Sequence, residues 1–161
     1  KDFTSSMFAY GAIGQTGNRL AFNVSAKNVV FIYNYNQDQD QWIKTQEILA
    51  PKIKTDHDNL QFGEYGIAFG NQSKELFVGT AIGRFINIYK LDSTDNQYKF
   101  FDKLTTKNKN IDVYNNDSIV TDWGFGLQEP HISEDGNTLV VGSKPARLNH
   151  IPGGISLFKR K

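Results

Sequence analysis

Three histidines are the first place to look for proton chemistry in this chain, and there is no cysteine at all. Without a thiol, disulfides, thiolate catalysis and Cys-based metal sites are excluded. His57 stands in Asp56-His57-Asp58, where a carboxylate beside an imidazole could orient it for base work. Neighbours in one loop, however, usually share solvent and not a proton. His131 precedes Ile132 in an apolar pattern and reads as a packed or solvent-facing strand residue. His150 falls in the long loop Ser143 to Gly153 with Lys144, Arg147 and Asn149, a cluster suited to an anionic or sugar ligand. No Gly-x-Ser-x-Gly elbow, phosphate loop or His-x-x-x-His pair accompanies them. The expectation from these residues is a chain that is not an enzyme and needs no cofactor.

A second chemical candidate is the connection from Thr105 to Gly124. It holds Asp112-Val113-Tyr114-Asn115-Asn116-Asp117, followed by Trp123. Carbohydrate sites combine an aromatic face with amide and carboxylate hydrogen bonds, so Tyr114, Asn116, Asp117 and Trp123 are candidate ligand residues. Lys144, Arg147 and His150 join them from the other loop. The competing reading is an insertion tolerated on a surface. Three sequons also occur, at Asn23, Asn71 and Asn116, and each would accept an N-glycan in a secretory pathway. The competing reading is chance, in a chain rich in Asn and well supplied with Ser and Thr.

The elements that must position these residues repeat. One unit runs through Phe8-Ala9-Tyr10-Gly11-Ala12-Ile13, Gly17 to Phe22, Val29 to Tyr33 and Trp42 to Gln46. A second runs through Phe62-Gly63, Lys74 to Gly79, Phe85 to Tyr89 and Tyr98 to Phe101. The third has Phe125-Gly126, Asn137 to Gly142 and Gly154 to Phe158. The equivalent residues Leu20, Leu76 and Leu139 stand 56 and 63 residues apart. Alternation such as Phe31, Tyr33, Tyr35 against Ile32 and Asn34 marks strands. Gly, Asn and Asp clusters punctuate them as hairpin turns. Four strands per unit predict an all-β chain of propeller blades, each a four-stranded antiparallel meander. The expected units are about 8–61, 62–124 and an incomplete 125–161 within a single propeller segment.

The bulk properties fit an ordinary packed domain of 161 residues, with aromatics at 13%. Aromatic side chains suit pleated, half-buried surfaces. A net charge of +1 gives no electrostatic reason to expect nucleic acid as a partner. No apolar run is long enough to insert in a bilayer as a helix. The N-terminus has neither an initiator Met nor the apolar core of a signal peptide.

At these residues the chain resembles the FG-GAP type of repeat. Phe125-Gly126 with Ile132-Ser133-Glu134-Asp135-Gly136-Asn137-Thr138-Leu139-Val140-Val141-Gly142 carries the resemblance best. Trp42-Ile43-Lys44-Thr45-Gln46-Glu47-Ile48-Leu49-Ala50-Pro51 resembles the close of such a unit. WD-type repeats share the Asp-Gly turn. The resemblance implies propellers like those of integrin α heads and of bacterial and protist surface proteins, which bind partners. Some such repeats hold Ca²⁺ in an Asp-x-Asp-x-Asp-Gly loop. Calcium needs six to eight oxygen ligands, and Gly14 to Asn18, Asn71 to Lys74 and Ser133 to Asn137 do not supply them, so no metal is expected.

Closed propellers have four to eight blades, and three units leave blade faces open. The third also lacks a counterpart of the Trp42 strand. The expectation is that further blades of a longer chain, or copies of this one, complete the ring. The function expected is a non-catalytic interaction or structural module, extracellular or on a cell surface, that binds protein partners. A lectin-like adhesive propeller that binds glycan and a WD-like intracellular scaffold remain as alternatives.

Overall fold

The computed structural model describes residues 10–24, 27–52, 62–80, 85–105, 114–116, 129–133, 135–143 and 154–160. Within them the chain forms three four-stranded antiparallel sheets and no α-helix. The first sheet is a simple meander of β1 (Gly11–Ile13), β2 (Arg19–Val24), β3 (Val29–Asn36) and β4 (Gln41–Leu49). The second repeats it with β5 (Phe62–Gly70), β6 (Glu75–Thr80), β7 (Phe85–Asp92) and β8 (Gln97–Thr105). The expected propeller blades are therefore present. Residues 8 and 9 of the expected first strand lie outside the described residues.

The third sheet departs from the simple repeat. Its order is β10 (His131–Ile132), β11 (Thr138–Ser143), β12 (Gly154–Arg160) and then β9 (Tyr114–Asn116). The place of the missing fourth strand is taken by residues from the long connection upstream, with Phe158 opposite Asn116 and Arg160 opposite Tyr114. An open strand edge carries unpaired donors and acceptors, and β9 satisfies those at this end of β12. The connection read as a ligand loop thus contributes backbone pairing, and it crosses the expected boundary between the second and third units.

The turn residues explain why the repeat is legible. Between the first two strands of each blade, backbone bonds close the turns Gly17 N to Gly14 O, Lys74 N to Asn71 O and Gly136 N to Ser133 O. The left-handed conformation needed there falls on Gly17 (φ 72°), on Asn71, Gln72 and Ser73 (φ 50°, 54° and 64°), and on Gly136 (φ 70°). Gly and Asn enter that region at least cost.

Two seams join the three sheets. In the first, Val30, Ile32 and Ile48 of blade one pack on Ile67, Phe69, Leu76 and Val78 of blade two, with Tyr89 and Tyr98 beside them. In the second, Phe77, Ile86, Ile88 and Leu104 pack on Leu139, Val141 and Phe158. Strand alternation makes this sharing possible, because β6 sends Leu76 and Val78 one way and Phe77 the other. Gln46, the residue four after Trp42, crosses the first seam as a backbone mimic. Its Nε2 donates to Tyr98 O at 2.8 Å, and its Oε1 accepts from Tyr98 N at 2.8 Å. Across the second, Arg160 pairs with the buried Glu75 at 2.5 Å.

Candidate functional site

The innermost strand of each blade lies nearest the axis around which blades gather, and β5 is the irregular one. Phe62 faces Thr80 and Ile67 faces Val78, so four residues of β5 span one residue of β6. Such bulges break a ladder locally and re-aim side chains, often beside functional sites. Gly63 allows this one, with φ 72°. A Cβ there would lie 2.9 Å from Val30 Cγ2 and 3.0 Å from Asn23 Cβ, so the backbone must approach blade one bare. This gives the Phe-Gly opening of the unit a physical reason.

Glu64 follows at the crest of the bulge. It is 9% exposed and has no hydrogen-bond or ion-pair partner among the described residues. Acids that the fold largely encloses are mostly paired, and Glu64 is an exception among the described residues. Its surroundings are polar. Asn23, fully buried, accepts from Tyr10 N at 2.8 Å through Oδ1, while its Nδ2 has no acceptor. Under the bulge, Asn87 Nδ2 donates to Thr80 Oγ1 at 2.9 Å. Asn28 Oδ1 accepts from Phe62 N at 3.4 Å. Gly63 touches Asn23, and Asn23 holds Tyr10, so Glu64, Asn23 and the exposed Tyr10 gather at one end of the inner strands.

His131 does not join them. By register, Ile13, Phe69 and Ile132 are equivalent, since they face Leu20, Leu76 and Leu139. His131 therefore corresponds to Ala68, four positions along from Glu64, or up to ~13 Å at about 3.3 Å per residue. It is exposed, as the solvent-facing reading expects. His57, His150, Lys144, Arg147, Asp117 and Trp123 lie outside the described residues. Tyr114 and Asn116 are placed only as members of β9, on the outer edge of the third blade and away from its inner strand. Among the described residues no group of three or more His, Asp or Glu could hold a metal ion.

The sequons stand in different settings. Asn23 is fully enclosed, so the fold leaves no room for a glycan on its amide. Asn71 is half-buried in the left-handed turn, and Asn116 lies in β9.

Sequence reasoning passed over Glu64 and Tyr10, and read Asn23 only as a glycan acceptor. A signal existed in Phe62-Gly63-Glu64-Tyr65-Gly66, where one acid sits between two glycines in an otherwise apolar strand.

No family model matches the chain, and no curated protein matches it in sequence. Solved structures do. A protein assigned as a 6-phosphogluconolactonase from Bacteroides fragilis is similar at TM-score 0.59 and 17% identity, over 94% of this chain and 34% of that one. The β-propeller domain of Cps50 (Swd1) from Myceliophthora thermophila is similar at TM-score 0.60 and 8% identity, over 93% and 37%. The periplasmic gluconolactonase PpgL of Pseudomonas aeruginosa is similar at TM-score 0.50 and 8% identity, over 93% and 39%. The chain spans little more than a third of each of these structures. At such identities the likeness shows the fold, a set of β-propeller blades, and leaves the FG-GAP family itself unshown.

One expectation is corrected here. A non-catalytic module does not stand as the reading of this chain, because two of these propellers carry lactonase names. Among the described residues no helix is long and apolar enough to cross a membrane.

Proposed function

We propose that this chain forms part of a propeller hydrolase that opens a sugar lactone, with Glu64 as its general base. The observation that carries the reading is the largely enclosed Glu64 on the bulge of the inner strand, which has no partner among the described residues. The lactonase names of similar propellers supply the substrate class. Water attacks the lactone carbonyl carbon and gives one proton to the Glu64 carboxylate. The tetrahedral adduct then collapses with cleavage of the ring C–O bond, and Glu64 returns the proton to the departing alkoxide. The products are a free acid and a hydroxyl group. Asn23 is a positioning residue, since it ties the Tyr10 backbone to the wall against which Gly63 packs.

Further blades, on the same polypeptide or on a second copy, complete the ring in this reading. FG-GAP-type repeats are the family we infer for the blades, supported by the left-handed Gly63 after Phe62. An extracytoplasmic location is inferred as well, supported by the periplasmic source of one similar propeller. The test is hydrolysis of D-glucono-1,5-lactone above the buffer rate. General-base loss costs about 10²–10⁴-fold in rate, so Glu64→Gln should abolish most of the acceleration while keeping the fold. Equal rates for the variant and the natural chain would overturn the assignment.

A further inference from the structure

A groove of about 540 Å³ opens on the first blade, lined by Asn18, Asn34, Tyr35, Asn36, Gln37, Asp38, Ile43 and Thr45. That volume falls in the range of small-molecule sites, roughly 300–1,000 Å³. It lies where β3 turns into β4, at the outer strands, whereas Glu64 sits on the inner strand β5. A register shift between Ile32 and Tyr33 leaves Thr45 as the extra residue of β4 there. The turn beside it is pinned, because Tyr35 Oη donates to Asp40 and Asn36 Oδ1 accepts from Gln39 N at 3.0 Å.

The lining is selective in kind. Four amides and two hydroxyls offer both donors and acceptors. The one charged group of the lining is the Asp38 carboxylate, and no cation among the described residues lines the groove, which disfavours anions. Ile43 supplies an apolar patch. Asn34 Oδ1 is shielded and has no donor, so the fold leaves an acceptor waiting for one. Asn34 lines the groove, and because the terminal torsion of Asn is soft, a ligand reaches that oxygen once the amide rotates. We infer that this groove binds a neutral polyol of monosaccharide size, whose hydroxyls donate to Asn34 and Asp38 and accept from the neighbouring amides. The inference is independent of Glu64, because no groove residue belongs to the lactone site.

Saturation-transfer NMR and titration calorimetry on the full chain, with D-glucose, D-galactose, D-mannose and myo-inositol as probes, test it. At least one probe should show transfer, and both Asn34→Leu and Asp38→Asn should weaken its binding about tenfold or more, the size of one lost hydrogen bond. Asp38 is exposed in a turn, so D38N keeps the test sound if N34L disturbs the sheet. Absence of transfer from all four probes, or binding unchanged in both variants, would overturn the site. Lactone hydrolysis should be unaltered by D38N, which separates failure here from failure of the lactonase reading.

Discussion

The two seams between blades solve one packing problem with different materials. The second is filled by Phe77, Ile86, Ile88, Leu104, Leu139, Val141 and Phe158, with Ser156 and the Arg160-paired Glu75 as buried polar residues. The first has an aliphatic centre of the same kind, but at one end it also encloses Asn23, Glu64, Thr80 and Asn87. Buried polar groups cost stability unless they are paired. Glu64 has no partner among the described residues, and Asn23 has an unused donor. The second seam also holds an unpartnered Ser156 Oγ, but its one buried acid, Glu75, is paired with Arg160. The difference teaches that the first seam gives up cohesion where it meets the inner strand, which is the signature of a site.

The largest effects should come from breaking the apolar seam. Phe77 and Phe158 are fully buried, and truncating a core Phe to Ala costs about 3–5 kcal/mol. Denaturant unfolding of Phe77→Ala and Phe158→Ala should show losses of that order, with no selective effect on lactone hydrolysis. Next in size is Arg160→Ala, which strands Glu75 in a position only 3% exposed. Removing one partner of a buried pair costs about 3 kcal/mol. An Arg160→Met/Glu75→Gln double variant should recover most of it. A double variant no more stable than R160A would mean that the pair does not act through burial of charge.

In the polar seam the signs should divide. Gly63→Ala forces a side chain into a left-handed position against Val30 and Asn23, at a cost of about 1–3 kcal/mol. Glu64→Gln should carry no such cost. Replacing a largely enclosed acid that lacks a partner among the described residues by a neutral isostere should leave stability equal or slightly higher, by at most about 1 kcal/mol. Chemical denaturation of E64Q beside its hydrolysis rate gives the sharpest single contrast, because stability should hold or rise as activity falls. If E64Q is destabilised, the carboxylate is holding the fold and the seam comparison loses its meaning.

The blades were readable because their demands are local. Alternation in Val29–Asn36 and the glycines at 17 and 136 are dictated by pleat and turn geometry within a few residues. The site was not, because it depends on which residues a bulge brings under a neighbouring blade. Asn23 reads as a glycosylation sequon in the sequence and is a fully buried strut in the fold. Tyr10 reads as an ordinary strand aromatic. The fourth strand of the third blade was hidden for a similar reason. Its residues, Tyr114–Asn116, come from before that blade and not from after it, and a repeat template looks only forward.

The smallest effect is a titration that should distinguish the seams without mutation. Tyr89 and Tyr98 belong to the first seam, and the buried residues of the second include no ionisable phenol. Burial raises the Tyr89 phenol above its ordinary value, and burial pushes Tyr98 up to about 12, partly offset by Arg19 nearby. A phenol raised in the folded chain binds its proton there at a pH where the unfolded chain has released it. Stability from Tyr98 is therefore complete below its ordinary value of 10.0 and drains as pH rises from there toward about 12. Urea midpoints measured across that window should fall, and Tyr98→Phe should flatten the decline while removing the hydroxyl's bond to Ser73 O and its interaction with Arg19. Phe158→Ala should lower every midpoint and leave the slope alone, since nothing in the second seam's apolar filling titrates there. A slope unchanged by Y98F would show that the alkaline loss originates outside the first seam.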